Sequence, residues 1–372
     1  MSDMSDMTEL SGLRIGLVGP LAPPAGGMAN QTRQLAELLR ADQAVVIVVQ
    51  TNAPYRPAWV ARVPGLRAAF RLLPYLLALW RAAGRVDVFH VMANSGWSWH
   101  LFVAPAIWIA WARGVPVVVN YRGGGAEGFL KRSHRAVSWT LKRAARLVVP
   151  SGFLQDVFAR FGLQAEVVPN IVDLALFRPR DDRPGAHSHL LVARNLEPVY
   201  DNATALRAFR LIRDSYPNVV LTIAGSGPEE SRLHHLAIGL GILDAVRFAG
   251  RLDRGAMADL FRQADIMLNP SLADNMPNSV LESMASGVPV VSTDVGGVPY
   301  VVQDNVTALL VSPGRPDLMA AAAMRLLGDI ALWQRLSSTG LAEARRYTWS
   351  QVRPVLAAVY RSVLVDSRKQ LV

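Results

Sequence analysis

Short apolar runs alternate with longer amphipathic segments along nearly the whole chain. Six runs of the first half have the length and composition of strands: "RIGLVGP", "AVVIVVQ", "VDVFHV", "PVVVNY", "RLVVPS" and "AEVVPN". Six more follow in the second half: "HLLVAR", "VVLTIAG", "AVRFAG", "IMLNPS", "PVVSTD" and "ALLVSP". Because these runs are rich in β-branched residues and separated by helical patterns, they predict parallel strands with both faces covered by helices.

The two sets of strands are separated by "FRPRDDRPGAHSHL" (177–190), which is dense in proline, arginine and aspartate and predicts a linker. We therefore predict an α/β protein with two doubly wound, Rossmann-like parallel-sheet domains that face a central cleft. The first domain covers residues 1–180 and the second covers 181–351. Ligands of such sheets bind outside the carboxyl ends of the strands.

Three segments of the first half are unusually apolar or basic. Segment 96–112, "GWSWHLFVAPAIWIAWA", is shorter than the ~20 residues that span a bilayer, and it predicts a buried helix. Segments 64–85 and 128–146 instead combine an apolar stripe with clustered Arg and Lys, and Pro74 is expected to kink the former. Such helices can lie on an anionic membrane, or they can face the core with a charged outer side.

The composition of 51% hydrophobic and 18% charged residues is that of a globular protein. The absence of cysteine excludes disulfides, thiolate metal sites and a cysteine nucleophile. The first twelve residues, "MSDMSDMTELSG", lack the basic and apolar regions of a secretory signal, which predicts a cytoplasmic protein.

The net charge of +10 lies entirely in the first half of the chain. Residues 1–180 contain 20 Lys and Arg against 10 Asp and Glu, whereas residues 181–372 contain 19 of each kind. This asymmetry predicts an anionic partner for the first half, or a basic solvated surface. Nucleic acid is not the predicted partner, because no helix-turn-helix, zinc-finger or aromatic-platform pattern accompanies the charge.

Candidate chemistry is concentrated in "PSLADNMPNSVLESMASGVPVVSTDVGG" (270–297). Pro277 suits the first position of a helix that ends before Gly287, and the start of that helix predicts an anion site for phosphate. Glu282, one turn further on, could accept two hydrogen bonds from a ribose diol, while Asp274 on the other side could hold a sugar. The alternative is that Asp274 caps the helix region and that Glu282 is solvated.

With this spacing, the segment resembles the Glu-x7-Glu signature of the family 4 retaining glycosyltransferases of the GT-B fold. Further segments resemble that family in the same order: "PLAPPAGGMANQTRQLAELL", "VVPNIVDLALF", "LVARNLEPVYDN", "LTIAGSGPEESRL" and "VRFAGRL". The resemblance extends over most of the chain. It implies that residues 352–372 pack back on the first domain.

By the same resemblance, Asp274 contacts the transferred sugar, Glu282 binds the donor ribose and Arg194 neutralises the departing diphosphate. The backbone around 247–251 reads the base. The remaining predicted donor-binding residues are Gly26, Gly27, Tyr200, Gly225, Arg251, Asn275, Asn278 and Ser279. The donor is a UDP- or GDP-sugar, and neither cofactor nor metal is expected, because no Asp-x-Asp pattern is present. We also predict no metal site at His187 and His189, or at His234 and His235.

Three positions depart from the family pattern. Tyr200 stands where a lysine is usual, Arg122 stands in place of a histidine, and Tyr300 replaces a glutamate. Arg251 or Arg122 could supply the cation lost at Tyr200. Because a guanidinium suits diphosphate, Arg122 is predicted to do so and to be catalytic. The alternative is that Arg122 pairs with Glu127.

The sequence thus predicts a retaining, metal-independent glycosyltransferase that acts on a lipid-linked or oligosaccharide acceptor in the synthesis of a bacterial surface glycan, such as lipopolysaccharide. It would be peripheral on the inner face of the membrane. Two alternatives stay open: a relative that binds nucleotide-sugar without turnover, and a nucleotide-sugar 2-epimerase. A Rossmann dehydrogenase is disfavoured, because the first βα turn lacks Gly-x-Gly-x-x-Gly.

Overall fold

The structure, a computed structural model, describes residues 10–23, 26–55, 66–180 and 189–369. The chain divides into two compact units. The first contains Met1–Pro169 and Val352–Val372, and the second contains Asn170–Gln351. Residues 181–188 of the predicted linker, His187 among them, lie outside the described residues.

The first unit is built on a six-stranded parallel sheet with strand order β2-β1-β3-β4-β5-β6. Its strands are β1 (Arg14–Gly19), β2 (Val45–Gln50), β3 (Val88–Ala93), β4 (Val117–Tyr121), β5 (Arg146–Val149) and β6 (Glu166–Val167). All six coincide with the runs predicted from the sequence. The central strands are buried along their length because helices cover both faces of a parallel sheet.

In the described ranges, five helices belong to the first unit and a sixth returns to it. They are α1 (Gly27–Ala41), α2 (Leu66–Ala83), α3 (Ala104–Ala112), α4 (Ala126–Leu141), α5 (Gly152–Ala159) and α12 (Trp349–Lys369). Helix α2 is continuous through Pro74. From Val352 onwards α12 packs on the first unit, where the hydroxyl of Tyr360 lies 2.8 Å from Nδ1 of His90 on β3.

The second unit repeats the architecture, with strand order β12-β11-β10-β7-β8-β9. Its strands are β7 (His189–Ala193), β8 (Val220–Ala224), β9 (Val246–Gly250), β10 (Ile266–Asn269), β11 (Val290–Thr293) and β12 (Leu309–Val311). These also match the six predicted runs. Its helices are α6 (Asn202–Ser215), α7 (Glu230–Gly239), α8 (Arg254–Gln263), α9 (Asn278–Ala285), α10 (Pro316–Gly328) and α11 (Ile330–Ala344).

One sequence prediction about the first unit is wrong in part. Segment 96–112 forms a π-helical turn, Trp99–Val103, followed by α3. Only one face of this segment is buried, because Trp97 and Trp111 are exposed. None of the helices in the described ranges is long and apolar enough to cross a membrane.

Candidate active site

The glycine-rich loop of the first unit leads directly into α1. Gly26 is the extended residue before the helix, and Gly27 is its first residue. A Cβ at either position would meet no described atom within 4 Å. The packing of the protein therefore does not demand glycine at these two positions. The free space next to both backbones would admit a ligand.

Arg122 follows β4 and is held by two neutral amides. Its Nε donates to Oδ1 of Asn120 at 3.0 Å, and its Nη1 donates to Oε1 of Gln31 on α1 at 2.7 Å. Burial lowers the pKa of Arg122 to about 10, which leaves it charged at neutral pH. The alternative pairing with Glu127 is wrong, because Glu127 instead pairs with Lys131 and Arg160.

A chain of buried hydrogen bonds continues from Arg122 to the returning helix α12. Nδ2 of Asn120 lies 3.0 Å from Nε2 of His90, and Nδ1 of His90 lies 2.8 Å from the hydroxyl of Tyr360. Because a guanidinium can only donate, Oδ1 of Asn120 must face Arg122 and Nδ2 must face His90. Nε2 of His90 then accepts, so its proton is on Nδ1. Burial, aided by Arg122, lowers the pKa of His90 to about 3 and keeps the ring neutral.

In the second unit, Arg194 and Asp274 form an ion pair at the carboxyl ends of β7 and β10. Nη2 of Arg194 donates to Oδ2 of Asp274, and Nη1 donates to Oγ of Ser279 at 3.3 Å. The guanidinium lies 4.2 Å from the centre of the Tyr200 ring. The side chains of the pair are only 9% and 12% exposed. Tyr200, the residue at the usual lysine position, is thus an aromatic platform for Arg194.

Nε of Arg194 is buried and has no hydrogen-bond partner among the residues that the structure describes. A buried donor without an acceptor is costly, and such a group marks a place where a ligand or water can bind. An anion near this nitrogen would complete the hydrogen bonding of the guanidinium.

Glycines bring the backbone segments around Arg194 and Asp274 into direct contact. Gly225, at φ +157°, allows the end of β8 to approach Arg194, whose carbonyl oxygen would lie 2.0 Å from an added Cβ. A Cβ at Gly296 or Gly297 would lie 2.2 Å from the carbonyl oxygen of Asp274 or 1.7 Å from that of Asn275. The amide of Gly297 also donates to the Asp274 carbonyl at 2.8 Å. The Gly-Gly pair therefore fixes the loop that carries Asp274 and Asn275.

Helix α9 begins at Asn278, with Pro277 as the extended N-cap residue, so the prediction that Pro277 is the first helical residue is wrong by one position. Nδ2 of Asn170 donates to Oδ1 of Asn278 at 2.7 Å and to the carbonyl of Met276 at 3.0 Å. Asn170 follows directly after "VVP" and is buried. It therefore fixes the first turn of α9, and Gly287 ends the helix with φ +67°.

Glu282 is half-buried on α9, and the alternative of a solvated carboxylate stays open. Burial raises its pKa to about 7, while Arg254 and Arg194 partly oppose that rise. Arg254, the first residue of α8, was not singled out from the sequence; only its place after "FAGRL" could have suggested it. Arg251 itself is exposed.

No group of three or more His, Asp or Glu side chains that could hold a metal ion occurs in the described part of the chain. Of the histidines considered above, His189 bonds to Thr222 and Gln263, His234 stacks on Phe248, and His235 bonds to the backbone of Ser231. Each of these three rings thus has a structural partner.

Sequence reasoning missed four features that support the predicted residues. Asn170 fixes the first turn of α9, and the positive charge of Arg254 favours ionisation of Glu282. The Gly-Gly pair fixes the loop that carries Asp274. The link from His90 to Tyr360 lies behind Arg122. Apart from the place of Arg254 after "FAGRL", the Gly-Gly pair had the clearest local signal, because "DVGGVP" falls in a loop where two glycines indicate close backbone approach.

Two parallel-sheet units define an α/β protein. In the second unit, a shielded arginine–aspartate pair beside a helix N-terminus makes the strand ends a candidate site for an anion. The comparisons with known proteins agree. Residues 25–176 match the family model described as Glycosyltransferase Family 4, and residues 178–341 match that described as Glycosyl transferases group 1. The chain belongs to glycosyltransferase family 4.

Among curated relatives, D-inositol 3-phosphate glycosyltransferase of Streptomyces bingchenggensis is 30% identical over 264 residues. That match covers 66% of this chain and only 56% of the relative. Phosphatidyl-myo-inositol mannosyltransferase of Mycobacterium leprae is 26% identical over an alignment that covers 96% of this chain and 99% of that protein.

Solved structures share the fold at lower identity. Sucrose-phosphate synthase from Thermosynechococcus elongatus has a TM-score of 0.77 at 19% identity, and the match covers 95% of this chain and 100% of that structure's chain. Anabaena HepE in complex with UDP has a TM-score of 0.72 at 17% identity, and the match covers 94% of this chain and 100% of that structure's chain. The prediction of two Rossmann-like units of the GT-B fold is confirmed.

Proposed function

We propose that this protein transfers a sugar from a nucleotide diphosphate sugar to a hydroxyl of an acceptor, with retention of configuration at the anomeric carbon. The observation that carries the proposal is the cluster of Arg194, Asp274, Ser279 and Tyr200 at the start of α9, in which a buried guanidinium nitrogen of Arg194 lacks an acceptor. Phosphate oxygens are suitable acceptors for such a nitrogen.

The position of Glu282, one turn beyond this cluster, fits a ribose diol. An ionised carboxylate accepts two hydrogen bonds, and each such bond contributes about 1.5–3 kcal/mol. Asn275, Asn278 and Gly225 surround the same corner of the second unit, and Gly26 and Gly27 provide open backbone in the first.

In the proposed reaction the acceptor oxygen forms a bond to the anomeric carbon while the bond from that carbon to the diphosphate oxygen breaks. The acceptor proton passes to the departing diphosphate. Negative charge grows on the leaving group, and Arg194 and the N-terminus of α9 are placed to stabilise it. As Arg194 turns to the diphosphate, Asp274 becomes available to accept hydrogen bonds from hydroxyls of the sugar. The proposed reaction does not require a metal.

A cavity of about 260 Å³ at the carboxyl end of the first sheet suits the acceptor. Its lining includes the polar side chains of Thr51, Asn52, Asn94 and Ser98 and the guanidinium-bearing Arg71 of α2. Nε of Arg71 is buried without a partner in the described residues. A larger groove of about 1360 Å³ beside α4 and β6 contains none of the predicted site residues.

Hydroxyl-binding side chains together with one cation favour a polyol that carries a phosphate. The names of the two relatives, which refer to inositol 3-phosphate and phosphatidyl-myo-inositol, support the same class. We therefore propose a phosphorylated or lipid-linked polyol as acceptor. Its product would contribute to a surface glycan, made by an enzyme that is peripheral on the inner membrane face.

Calorimetric titration with UDP and GDP tests the donor site, because it identifies the base class directly. Turnover is then measured as release of nucleoside diphosphate from a panel of nucleotide sugars, with myo-inositol phosphates, phosphatidylinositol or no acceptor, in the presence of EDTA. We expect release to depend on the acceptor and to survive EDTA. The anomeric configuration of the product by NMR tests retention.

Two variants separate the competing outcomes. Glu282→Ala should weaken nucleotide-sugar binding by about tenfold or more through the lost hydrogen bonds, while Glu230→Ala on α7 should not. Binding without turnover on any acceptor would favour the nucleotide-sugar-binding relative. No binding of either nucleotide would refute the proposed site.

A further inference from the structure

Helix α2 exposes a continuous apolar stripe. Phe70, Leu73, Leu77 and Trp80 repeat at intervals of three and four residues, and each is between 40% and 61% exposed. The opposite face is already buried in the first unit through Tyr75, Leu79 and Ala82. A helix on a protein surface normally presents charged or polar residues to water. The stripe is therefore a second apolar face, which the described residues leave largely exposed.

Exposed tryptophans extend the stripe across α3 and α4. The guanidinium of Arg113, directly after α3, lies 4.7 Å from the ring centre of Trp80. Trp111 and Trp139 are more than half exposed. Trp108 lies between them, with ring centres 5.8 Å from Trp111 and 4.3 Å from Trp139.

Arg143 lies at the centre of this tryptophan cluster. Its guanidinium carbon is 3.8 Å from the ring centre of Trp108 and 4.5 Å from that of Trp139. Its Nη1 donates to the carbonyl of Trp139 at 2.7 Å, so Arg143 holds the cluster together. Tryptophan and arginine side by side are side chains found at membrane interfaces. We call Phe70, Leu73, Leu77, Trp80, Trp111 and Trp139 together the α2–α4 face.

The segment of the chain that contains the α2–α4 face is strongly basic, although its Arg146 pairs with Glu166 and Asp366 outside the segment. Residues 66–146 contain twelve Lys and Arg but only two acidic residues, Asp87 and Glu127. Asp87 is paired with Arg14, and Glu127 with Lys131. This run therefore carries a net charge of +10, equal to that of the whole chain.

We propose that the α2–α4 face docks on an anionic lipid bilayer. The stripe of α2 would lie in the boundary between headgroups and acyl chains, with α2 parallel to the surface, and the exposed Arg81 and Arg113 would contact lipid phosphates. Arg71, next to Phe70, links the face to the proposed acceptor cavity. This link, which makes the docked bilayer the source of the acceptor, rests on the proposed function; the docking itself does not.

Charge complementarity selects the bilayer over a second copy of the chain. A symmetric dimer through this face would bring two segments of charge +10 together, which is unfavourable. An anionic lipid surface neutralises the charge and accepts the apolar side chains in the same contact. An acidic protein partner would satisfy the charge but needs no row of large apolar side chains along a helix.

The test is flotation of the full chain with vesicles of phosphatidylcholine, with and without phosphatidylglycerol. We expect binding to the anionic vesicles and weak or no binding to the neutral ones. The variant Leu73→Glu/Leu77→Glu should reduce the partition coefficient by about tenfold or more. The matched control is Ile330→Glu in the second unit, because Ile330 is as exposed (55%) as Leu77 (56%). Arg81→Gln/Arg113→Gln should reduce binding by about fivefold per charge.

The same variants are assayed for binding of UDP and GDP by calorimetry without lipid. Lost flotation with unchanged nucleotide affinity supports the docking face alone, whatever the outcome for turnover. Equal flotation of wild type, Leu73→Glu/Leu77→Glu and Ile330→Glu would overturn the proposal. So would absence of binding to anionic vesicles, or a concentration-dependent dimer in light scattering that the Leu73→Glu/Leu77→Glu variant abolishes.

Discussion

The two units present an arginine at the same place, after the carboxyl end of a strand, but they treat its charge differently. Arg194 in the second unit is paired with Asp274, so the protein itself neutralises it. Arg122 in the first unit donates to the neutral amides Asn120 and Gln31. To bind Arg194, an incoming phosphate must therefore displace a carboxylate. To take over the two hydrogen bonds of Arg122, it need displace only neutral amide oxygens. The shared fold does not fix the electrostatics of its strand ends.

The largest expected effect tests the ion pair of the second unit. Arg194→Gln should lower the rate of nucleoside diphosphate release by about 10²–10³-fold, because a fixed cation on the departing charge is lost. The measurement is steady-state release with the preferred donor and acceptor. Arg194→Gln/Asp274→Asn is made in parallel, because a lone buried carboxylate could destabilise the fold.

Arg210→Gln is the control for this pair. Arg210 also pairs with an aspartate, Asp214, but on an exposed helix surface, where ion pairs contribute little. If Arg194→Gln retains the rate of Arg210→Gln, then the shielded pair has no part in turnover, and the contrast between the units is structural only.

The next effect tests how tightly the Asp274 loop is held. Gly297→Ala places a Cβ 1.7 Å from the carbonyl oxygen of Asn275, so the backbone must move. We expect a loss of about 1–3 kcal/mol in the free energy of unfolding, together with about tenfold weaker nucleotide-sugar binding. Thermal unfolding and calorimetry measure the two. Gly239→Ala, where an added Cβ meets no described atom within 4 Å, should be neutral or slightly stabilising. Equal behaviour of both variants would show that the loop is not fixed by this contact.

A pH dependence follows from Glu282. Its pKa is raised by burial from 4.5 to about 7, and only the ionised form accepts two hydrogen bonds from a diol. Affinity for a nucleotide sugar should therefore rise by about tenfold between roughly pH 6 and 8, with proton release below pH 7. The ligand for this measurement is a nucleotide sugar and not UDP or GDP, because the diphosphate of a nucleotide sugar is a diester that does not titrate in this range.

Glu282→Gln should remove this pH dependence of binding. In the unliganded protein the folded state binds the extra proton between the two pKa values, so the free energy of unfolding should fall as pH rises from 4.5 towards 7, by up to about 3 kcal/mol. A flat affinity profile in the wild type would mean that Glu282 does not contact the donor.

The smallest expected effect tests the hydrogen-bond chain that leads to Arg122 in the first unit. Tyr360→Phe removes the acceptor for the Nδ1 proton of His90, which should loosen Asn120 and Arg122 and lower turnover a few-fold, on the order of 1 kcal/mol. Tyr75→Phe, which removes another buried tyrosine hydrogen bond in the same unit, is the stability control. In an Arg122→Ala background the effect of Tyr360→Phe on turnover should vanish, as measured by a double-mutant cycle. Additive effects would show that Tyr360 acts on stability and not through Arg122.

Much of the fold could be predicted because its signals are local. Each of the twelve strands is a short run of β-branched residues, which is buried wherever helices cover both faces of a parallel sheet. The start and end of α9 were likewise visible, to within one residue, from Pro277 and Gly287. The sequence alone therefore determined the fold class, the elements and the segment that contains the candidate site.

Only the tertiary structure decided which of these residues meet. The partners Arg194 and Asp274 are 80 positions apart, and His90 and Tyr360 are 270 apart; no local pattern encodes such a contact. The same holds for the stripe of α2, because apolar residues at helical spacing look alike whether they face a core or a lipid surface. Exposure depends on which face the rest of the chain covers, and that is settled by packing between distant segments.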